Sequence, residues 1–569
     1  MTIASTTSPT ESKKERTSFS LLTEPWLLAR SQSGEVEQVS LLKAFERAHE
    51  ITGLGGEIPT QEAACLRLML AILYRAINVP EGEEMATWEH LWEQRRLPVE
   101  QIHSYLLSHA DRFDLIHPHT PFYQVAELHT ASNKTSGLGK IIAEVPDGAQ
   151  FFTTRAGQAT DRLSFAEAAR WLVHVHAYDC SGIKSGAVGD DRVKGGKGYP
   201  IGIGFTGWLG LIILEGRTLA ETLLLNLSLR FWRANDLPPW EREPNSAATD
   251  LTHPQPQGPV EAATWQGRRV RLIHNGFDVV DVVLANGDPL MPQNRQTVEP
   301  MTSWRFSEPQ TKKANGITTY MPLTHQPSRA LWRGLGSVLG ERTSQAATKA
   351  NTAAFLRAGS LEWLSDLVDD GIVKRDFPMR FRAIGMEYGS QSASVTAVID
   401  DRLELAPAVI ADPLVRRQAI DAVDAAEEAV RALGRLATNL ADASGRHLLP
   451  GMEDGPRSRA GEMAYTLLDL PYRTWVGTLT ATNIDERRQA WQQTVWRIAN
   501  RVAGELVQAA GTPALVGRTV NSNYLNTPIA ENFFRAALKK ALPYAFPQGT
   551  QTDEPEPKGE PSSENKEQQ

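Results

Sequence analysis

Residues 193–207, VKGGKGYPIGIGFTG, hold six glycines, and Gly202 to Gly207 spell G-x-G-x-x-G. A true dinucleotide fingerprint runs from a strand through the glycines into a helix whose N-terminus faces the pyrophosphate, and it would make the chain a doubly wound parallel sheet. Here the order differs. A loop, GDDRVKGGKGYP, enters the motif, Pro200 breaks any element leading into it, and the short apolar run WLGLIILEG leaves it with the character of a strand. A Walker loop, G-x-x-x-x-G-K-[ST], occurs nowhere in the sequence. What remains is bare main chain interleaved with Lys184, Arg192, Lys194 and Lys197. That suits a nucleic-acid backbone, unless tight turns alone demand the glycines.

Outward from this stretch, residues 19–400 mix helices and strands. The apolar run Ala63–Ile77 contains Arg67 and Arg75 and is too short to span a membrane, so it reads as a buried helix over 60–77 opened by Pro59 and Thr60. A second helix is expected over 162–178. RRVRLIHNGFDVVDVVLANGD reads as a hairpin turning at Asn275-Gly276. Beyond Asp400 come long helical segments without convincing strands. Ile420, Val423, Val430, Leu433, Leu436 and Leu440 form one stripe, and Ile484, Trp491, Val495, Ile498, Val502 and Leu506 another. Helices near 459–469, stopped by Pro471, and 529–541, stopped by Pro543, make four, which suits a bundle. The expected fold class is therefore α+β: a mixed α/β N-terminal domain over 19–400, then a C-terminal four-helix bundle over 401–546. Residues 1–18 and the acidic tail 547–569 have the composition of disordered ends.

At 569 residues, with 41% hydrophobic and 22% charged residues, the chain can bury more than one core. The N-terminus lacks the apolar segment of a secretory signal, so a cytoplasmic location with no membrane partner is expected. Cys65 and Cys180 stand alone and build neither a zinc ribbon nor a disulfide framework. His174 and His176 point apart on either a strand or a helix, a poor geometry for one metal, so neither metal nor cofactor is expected. A formal charge of −8 excludes a uniformly basic coat, and any polyanion contact must be local. Clusters at Arg268, Arg269 and Arg271, at Lys312 and Lys313, and at Lys374, Arg375, Arg380 and Arg382 read individually as solvated faces.

Several ordered blocks carry a resemblance. FSLLTEPWLLAR (19–30), GLGGEIPTQEAACLRLMLAILYRA (53–76), DRFDLIHPHTPFYQ (111–124), the glycine stretch with TLLLNL, VEPMTSWRFSEP (298–309) and RALWRGL (329–335) together resemble the CasA large subunit of type I-E Cascade, the CRISPR RNA-guided surveillance complex. The resemblance runs over about 19–545. It implies a non-catalytic protein that reads the PAM of double-stranded DNA from the minor groove, starts strand separation with a wedge, and helps recruit a helicase-nuclease. Its implied partners are the other Cascade subunits, CRISPR RNA, double-stranded target DNA and that effector.

Carried over residue by residue, the family's glycine loop falls on Gly195, Gly196, Lys197 and Gly198. Its wedge hairpin falls on MEYGSQSASV, with Tyr388 before the tip and Gln391, Ser392 and Ala393 at the PAM-reading and wedge positions. Some members carry glutamine at the wedge tip, so either Ser392 is a weaker wedge or Gln391 is itself the wedge. Arg295, in QNRQTVEP, is the candidate basic PAM contact. The loop near the guide-RNA handle corresponds to TTRAGQATDR, with Arg155 and Arg162 as RNA contacts. The zinc-binding cysteines of some relatives are missing here. Two other classes stay open on the residues alone: a metal-dependent nucleic-acid-processing enzyme built from scattered carboxylates, and a purely architectural subunit.

Overall fold

The computed structural model describes residues 15–145, 153, 155, 158–340, 354–377, 379–445, 455–520 and 522–546. It forms two compact units, Met1–Ile420 with Val476–Ala481, and Asp421–Trp475 with Thr482–Gln569. The mixed helix-and-sheet class with a C-terminal helical region is as the sequence implied.

In the first unit, helix α1 (Pro59–Ala76) opens on a proline that needs no N–H partner. It is buried on almost every face, as an apolar-all-round helix must be. Its two arginines are internally matched. Arg67 makes a bidentate pair with Glu299 at 3.1 and 2.7 Å, and Arg75 grips Glu241 at 2.8 Å through two nitrogens. Helix α2 (Phe165–Tyr178) starts at the Ser164 cap, whose hydroxyl accepts from Glu167 N, rather than at 162. His174 Nε2 lies 3.0 Å from Thr60 Oγ1 and ties α2 to α1.

Strands β1 (Lys184–Ser185) and β2 (Lys197–Gly198) form a short antiparallel pair. Strand β3 (Leu211–Glu215) is the apolar run after the glycines. β4 (Arg268–His274) and β5 (Val279–Asn286) are the expected hairpin, but its loop has four residues. Asn275 Oδ1 accepts from Phe277 N and Asp278 N, and Gly276 has φ +85°. The long ribbon of β6 (Met379–Tyr388) and β7 (Val395–Leu405) completes a sheet in which β6 is central, flanked by β7 and β3. The domain boundary expected at Asp400 therefore falls inside a strand: Asp400 pairs with Ile384, and β7 runs on to Leu405. β3 covers only Arg380–Ile384, so the last turn of the ribbon projects past the sheet.

The second unit contains most of α3 (Pro413–Ser444) and α4 (Gly455–Val476), and all of α5 (Ile484–Val516) and α6 (Thr527–Ala541). Two expectations are corrected. Pro471 does not stop α4, which passes through it, and a short hairpin of Arg518–Val520 and Asn523–Leu525 precedes α6. Trp491 anchors this core: its indole N–H donates to Ala422 O at 2.8 Å, and its ring meets Tyr472 and Trp475 at 5.2 and 5.5 Å. Among the described residues no helix is long and apolar enough to cross a membrane.

Candidate nucleic-acid interface

The three glycines of the G-x-G-x-x-G run serve the protein's own interior. Gly202 takes φ +104° and offers its carbonyl to Arg268 at 2.8 Å. A side chain at Gly204 would overlap Ala177 O at the end of α2, and one at Gly207 would overlap the hydroxyl of Tyr388. The run ends in a short 3-10 turn, Phe205–Trp208, where a dinucleotide site needs a full helix.

The glycines upstream behave differently. Lys194 and Lys197 exchange backbone hydrogen bonds at 3.1 and 3.2 Å around Gly195 (φ +58°) and Gly196 (φ +72°). This is a two-residue hairpin turn of the kind that requires positive φ at both central positions. Both glycines are exposed, with open space where a Cβ would stand. On the inner side, Gly186 N donates to Gly196 O at 3.1 Å, and a Cβ on Gly186 would come within 2.5 Å of that peptide. Close backbone packing beneath thus supports a bare, solvent-facing turn above.

At the end of the β6–β7 ribbon, Gly389 N donates to Ser394 O at 2.9 Å and closes the loop 390–393. Gln391 and Ser392 have φ of 55° and 54°, a left-handed conformation that non-glycine residues seldom hold. Gln391 and Ala393 are exposed. The root of the loop is fixed by Tyr388, whose hydroxyl donates to Tyr178 O at 2.7 Å and is raised well above the ordinary tyrosine pKa by burial.

Residues 179–185 join the two turns. Ser181 N donates to Ser392 O at 2.9 Å on one side, and on the other Lys184 pairs with Gly198 and Ser185 with Lys197. Ser181 and Lys184 are three residues apart, at most about 10 Å of extended chain. The exposed residues Gly195–Lys197, with the buried Gly198 next to them in β2, and the tip Gln391–Ala393 thus flank one segment. A cavity of about 260 Å³ beneath the tip is lined by Ile141, Val175, Tyr178, Cys180, Lys184 and Ala393.

The electrostatics revise the four-cation ribbon. Lys194 and Lys197 stand exposed at the turn. Lys184 is instead buried against Asp179 at 2.6 Å, and Arg192 chelates Asp190 and donates to Gly287 O at 2.9 Å. Burial alone would raise the Asp179 carboxyl, but Lys184 and Arg268 hold it below the ordinary carboxylate range. The 268–271 cluster is not a solvated face: Arg268 and Arg269 are both 1% exposed, paired with Asp179 and Asp288 and donating to backbone carbonyls. Arg382 is likewise buried, among Glu62, Glu215 and Asp400. These guanidiniums bind carbonyls and carboxylates because an arginine carries five donors and cannot discharge itself.

Arg155 is held by Glu144 and Glu167 over the Trp171 ring, a mostly buried clamp rather than a free RNA contact, whereas Arg162 is exposed. Most of the loop between Glu144 and Arg162 lies outside the described residues. Arg295 donates to Met291 O at 3.1 Å and Gln255 Oε1 at 2.8 Å, and among the described residues no hydrogen bond or ion pair joins it to either turn. His174 and His176 are buried, and desolvation lowers them to about 3 and about 4, so both are neutral at pH 7. Among the described residues no group of three or more His, Cys, Asp or Glu could hold a metal ion. The reading of the sequence missed Ser181 as the tip's partner. A main-chain donor has no residue signature, and the only hint was its place between the end of α2 and the glycines.

The family model described as CRISPR-associated protein Cse1 matches residues 20–502. The crystal structure of Thermobifida fusca Cse1 is similar with a TM-score of 0.86 and 45% identity, covering 93% of this chain and 99% of that one. Cse1 from Acidimicrobium ferrooxidans gives a TM-score of 0.75 at 31% identity, with 93% and 99% covered. The CRISPR-associated protein CasA/Cse1 of Thermus thermophilus is 29% identical over 435 residues, 75% of this chain and 78% of that protein.

Proposed function

Because the chain belongs to the CRISPR-associated Cse1 family, we propose that it is the non-catalytic large subunit of a type I-E Cascade complex and reads the PAM of double-stranded DNA from the minor groove. The observation that carries this reading is the attachment of the Gly195–Gly198 turn and the Gln391–Ala393 tip to the same segment, 179–185. A side-chain-free turn between two lysines can bring N–H groups and charge to a phosphate backbone. Gln391 can both donate to and accept from base edges, and Ala393 is small enough for a groove to close over it. Guide RNA supplies sequence recognition by base pairing, so the protein needs to sense only a short motif and duplex shape. Backbone strain at Gln391 and Ser392 fits a wedge that parts the strands, because strained residues persist only where the surrounding structure over-determines them and cluster at functional sites. Recruitment of a helicase-nuclease to the opened DNA completes the role.

The test is binding of the complete complex, with its RNA, to duplexes with and without the PAM. Gln391→Ala with Ser392→Ala is expected to abolish the preference for PAM-bearing duplex. Lys194→Ala with Lys197→Ala is expected to weaken both duplexes alike and flatten the salt dependence by about one unit per lost phosphate contact. Unchanged PAM preference and salt slope in both variants would leave an architectural subunit. Metal-dependent cleavage of DNA by the isolated chain would make it an enzyme.

A further inference from the structure

Lys184 lies at the junction of the two turns, yet its ammonium faces inward, 2.6 Å from Asp179 Oδ2 with the side chain 10% exposed. Asp179 does not need it for charge balance. Arg268 already binds the same carboxylate oxygen and donates to the carbonyls of Cys180 and Gly202 at 3.1 and 2.8 Å. The cluster thus buries two cations on one carboxylate, which desolvation disfavours, and burial lowers the Lys184 pKa.

The second cation does accomplish something geometric. Its bond to Asp179, the residue capping α2, closes 179–184 into a loop anchored at both ends. That loop carries Ser181 N, which holds the wedge tip at Ser392 O, and it ends at Lys184 itself, directly opposite Gly198. Loss of the ion pair would leave that end of the segment held by the β1–β2 backbone pairing alone.

We propose that Lys184 is a positioning residue for PAM recognition: strapped to Asp179, it fixes the spacing of the glycine turn and the wedge tip so that both engage one groove. The proposal rests on the DNA-reading role assigned to those turns. Lys184→Met keeps most of the stem's bulk and leaves Asp179 with Arg268 as a one-to-one pair, so the fold persists. Lys184→Arg restores a cation able to reach Asp179.

The measurement is the ratio of affinities of the complete complex for PAM-bearing and PAM-less duplex. A variant that merely destabilises the subunit lowers the active fraction and both affinities together, leaving the ratio untouched. Lys184→Met is expected to lower the ratio about tenfold, in the range for loss of a coupling residue, and Lys184→Arg to recover most of it. A wild-type ratio for Lys184→Met, whatever happens to total binding, overturns the proposal, as does equal loss in the Arg variant. Gln391→Ala with Ser392→Ala separates the two ideas. If that variant keeps its ratio, the DNA-reading role fails; if it loses the ratio while Lys184→Met keeps it, only the strap fails.

Discussion

Gly207→Ala gives a quantitative test of how the 390–393 tip is rooted. A methyl at 207 would overlap Tyr388 Oη, with Tyr388 Cζ at 3.0 Å and Ile203 Cδ1 at 3.2 Å. The hydroxyl must move, and it then loses its 2.7 Å bond to Tyr178 O in a buried setting. A buried hydrogen bond lost in this way costs about 1–3 kcal/mol, and overpacking adds about 1–3 kcal/mol, so Gly207→Ala is expected to destabilise the first unit by about 3 kcal/mol. Tyr388→Phe alone removes one hydrogen bond and costs about 1 kcal/mol. In that background the new methyl meets no hydroxyl and breaks no bond, so it adds only about 1 kcal/mol of residual crowding. The double variant is therefore less destabilised than the two single variants added together, with a coupling of about 2 kcal/mol. Denaturant unfolding of the four proteins measures it. Additivity within about 0.5 kcal/mol, the range for independent sites, would show that Gly207 is not there to admit Tyr388.

Two further outcomes follow from the same packing. His174 and His176 stay neutral in the folded protein down to about pH 3 and 4, whereas in the unfolded chain they take up protons below about pH 6.5, so stability falls as pH falls. Between pH 7 and 5 each should contribute about 2 kcal/mol of destabilisation, and a His176→Gln variant that unfolds with undiminished pH dependence would refute the assignment. Gln391→Gly and Ser392→Gly relieve positive φ and should each stabilise the chain by up to about 1 kcal/mol in melting experiments while weakening PAM preference. Stabilisation without loss of preference would separate the strain from DNA reading.

The residues announced the elements better than they announced the site. Helix α1, strand β3 and the β4–β5 hairpin follow from apolar periodicity and one Asn-Gly, and the failure of the dinucleotide motif was legible in the absence of a strand before it and a helix after it. Pro471 misled because α4 runs through the proline regardless, tertiary packing overriding local propensity. The arginines misled most. Arg268 and Arg269 carry the same letters as a surface patch, and only the distant Asp179, Asp288 and a ring of carbonyls reveal that they are interior. A cluster's charge says little until its counter-ions are placed, and these lie far away in sequence. The two turns were found through family likeness, but their attachment to 179–185 rests on main-chain hydrogen bonds that no side-chain pattern encodes.

The sheet also sets an order of events during synthesis. Strand β3 ends at Glu215, and its neighbour β6 begins only at Met379. A nascent chain therefore exposes β3's hydrogen-bonding edge, and leaves Gly207 facing an empty socket, until the ribbon has emerged from the ribosome. Proteins truncated before Leu405 lack the complete ribbon. Of these, fragments that end between Glu215 and Met379 present β3 without its partner and should aggregate through that open edge.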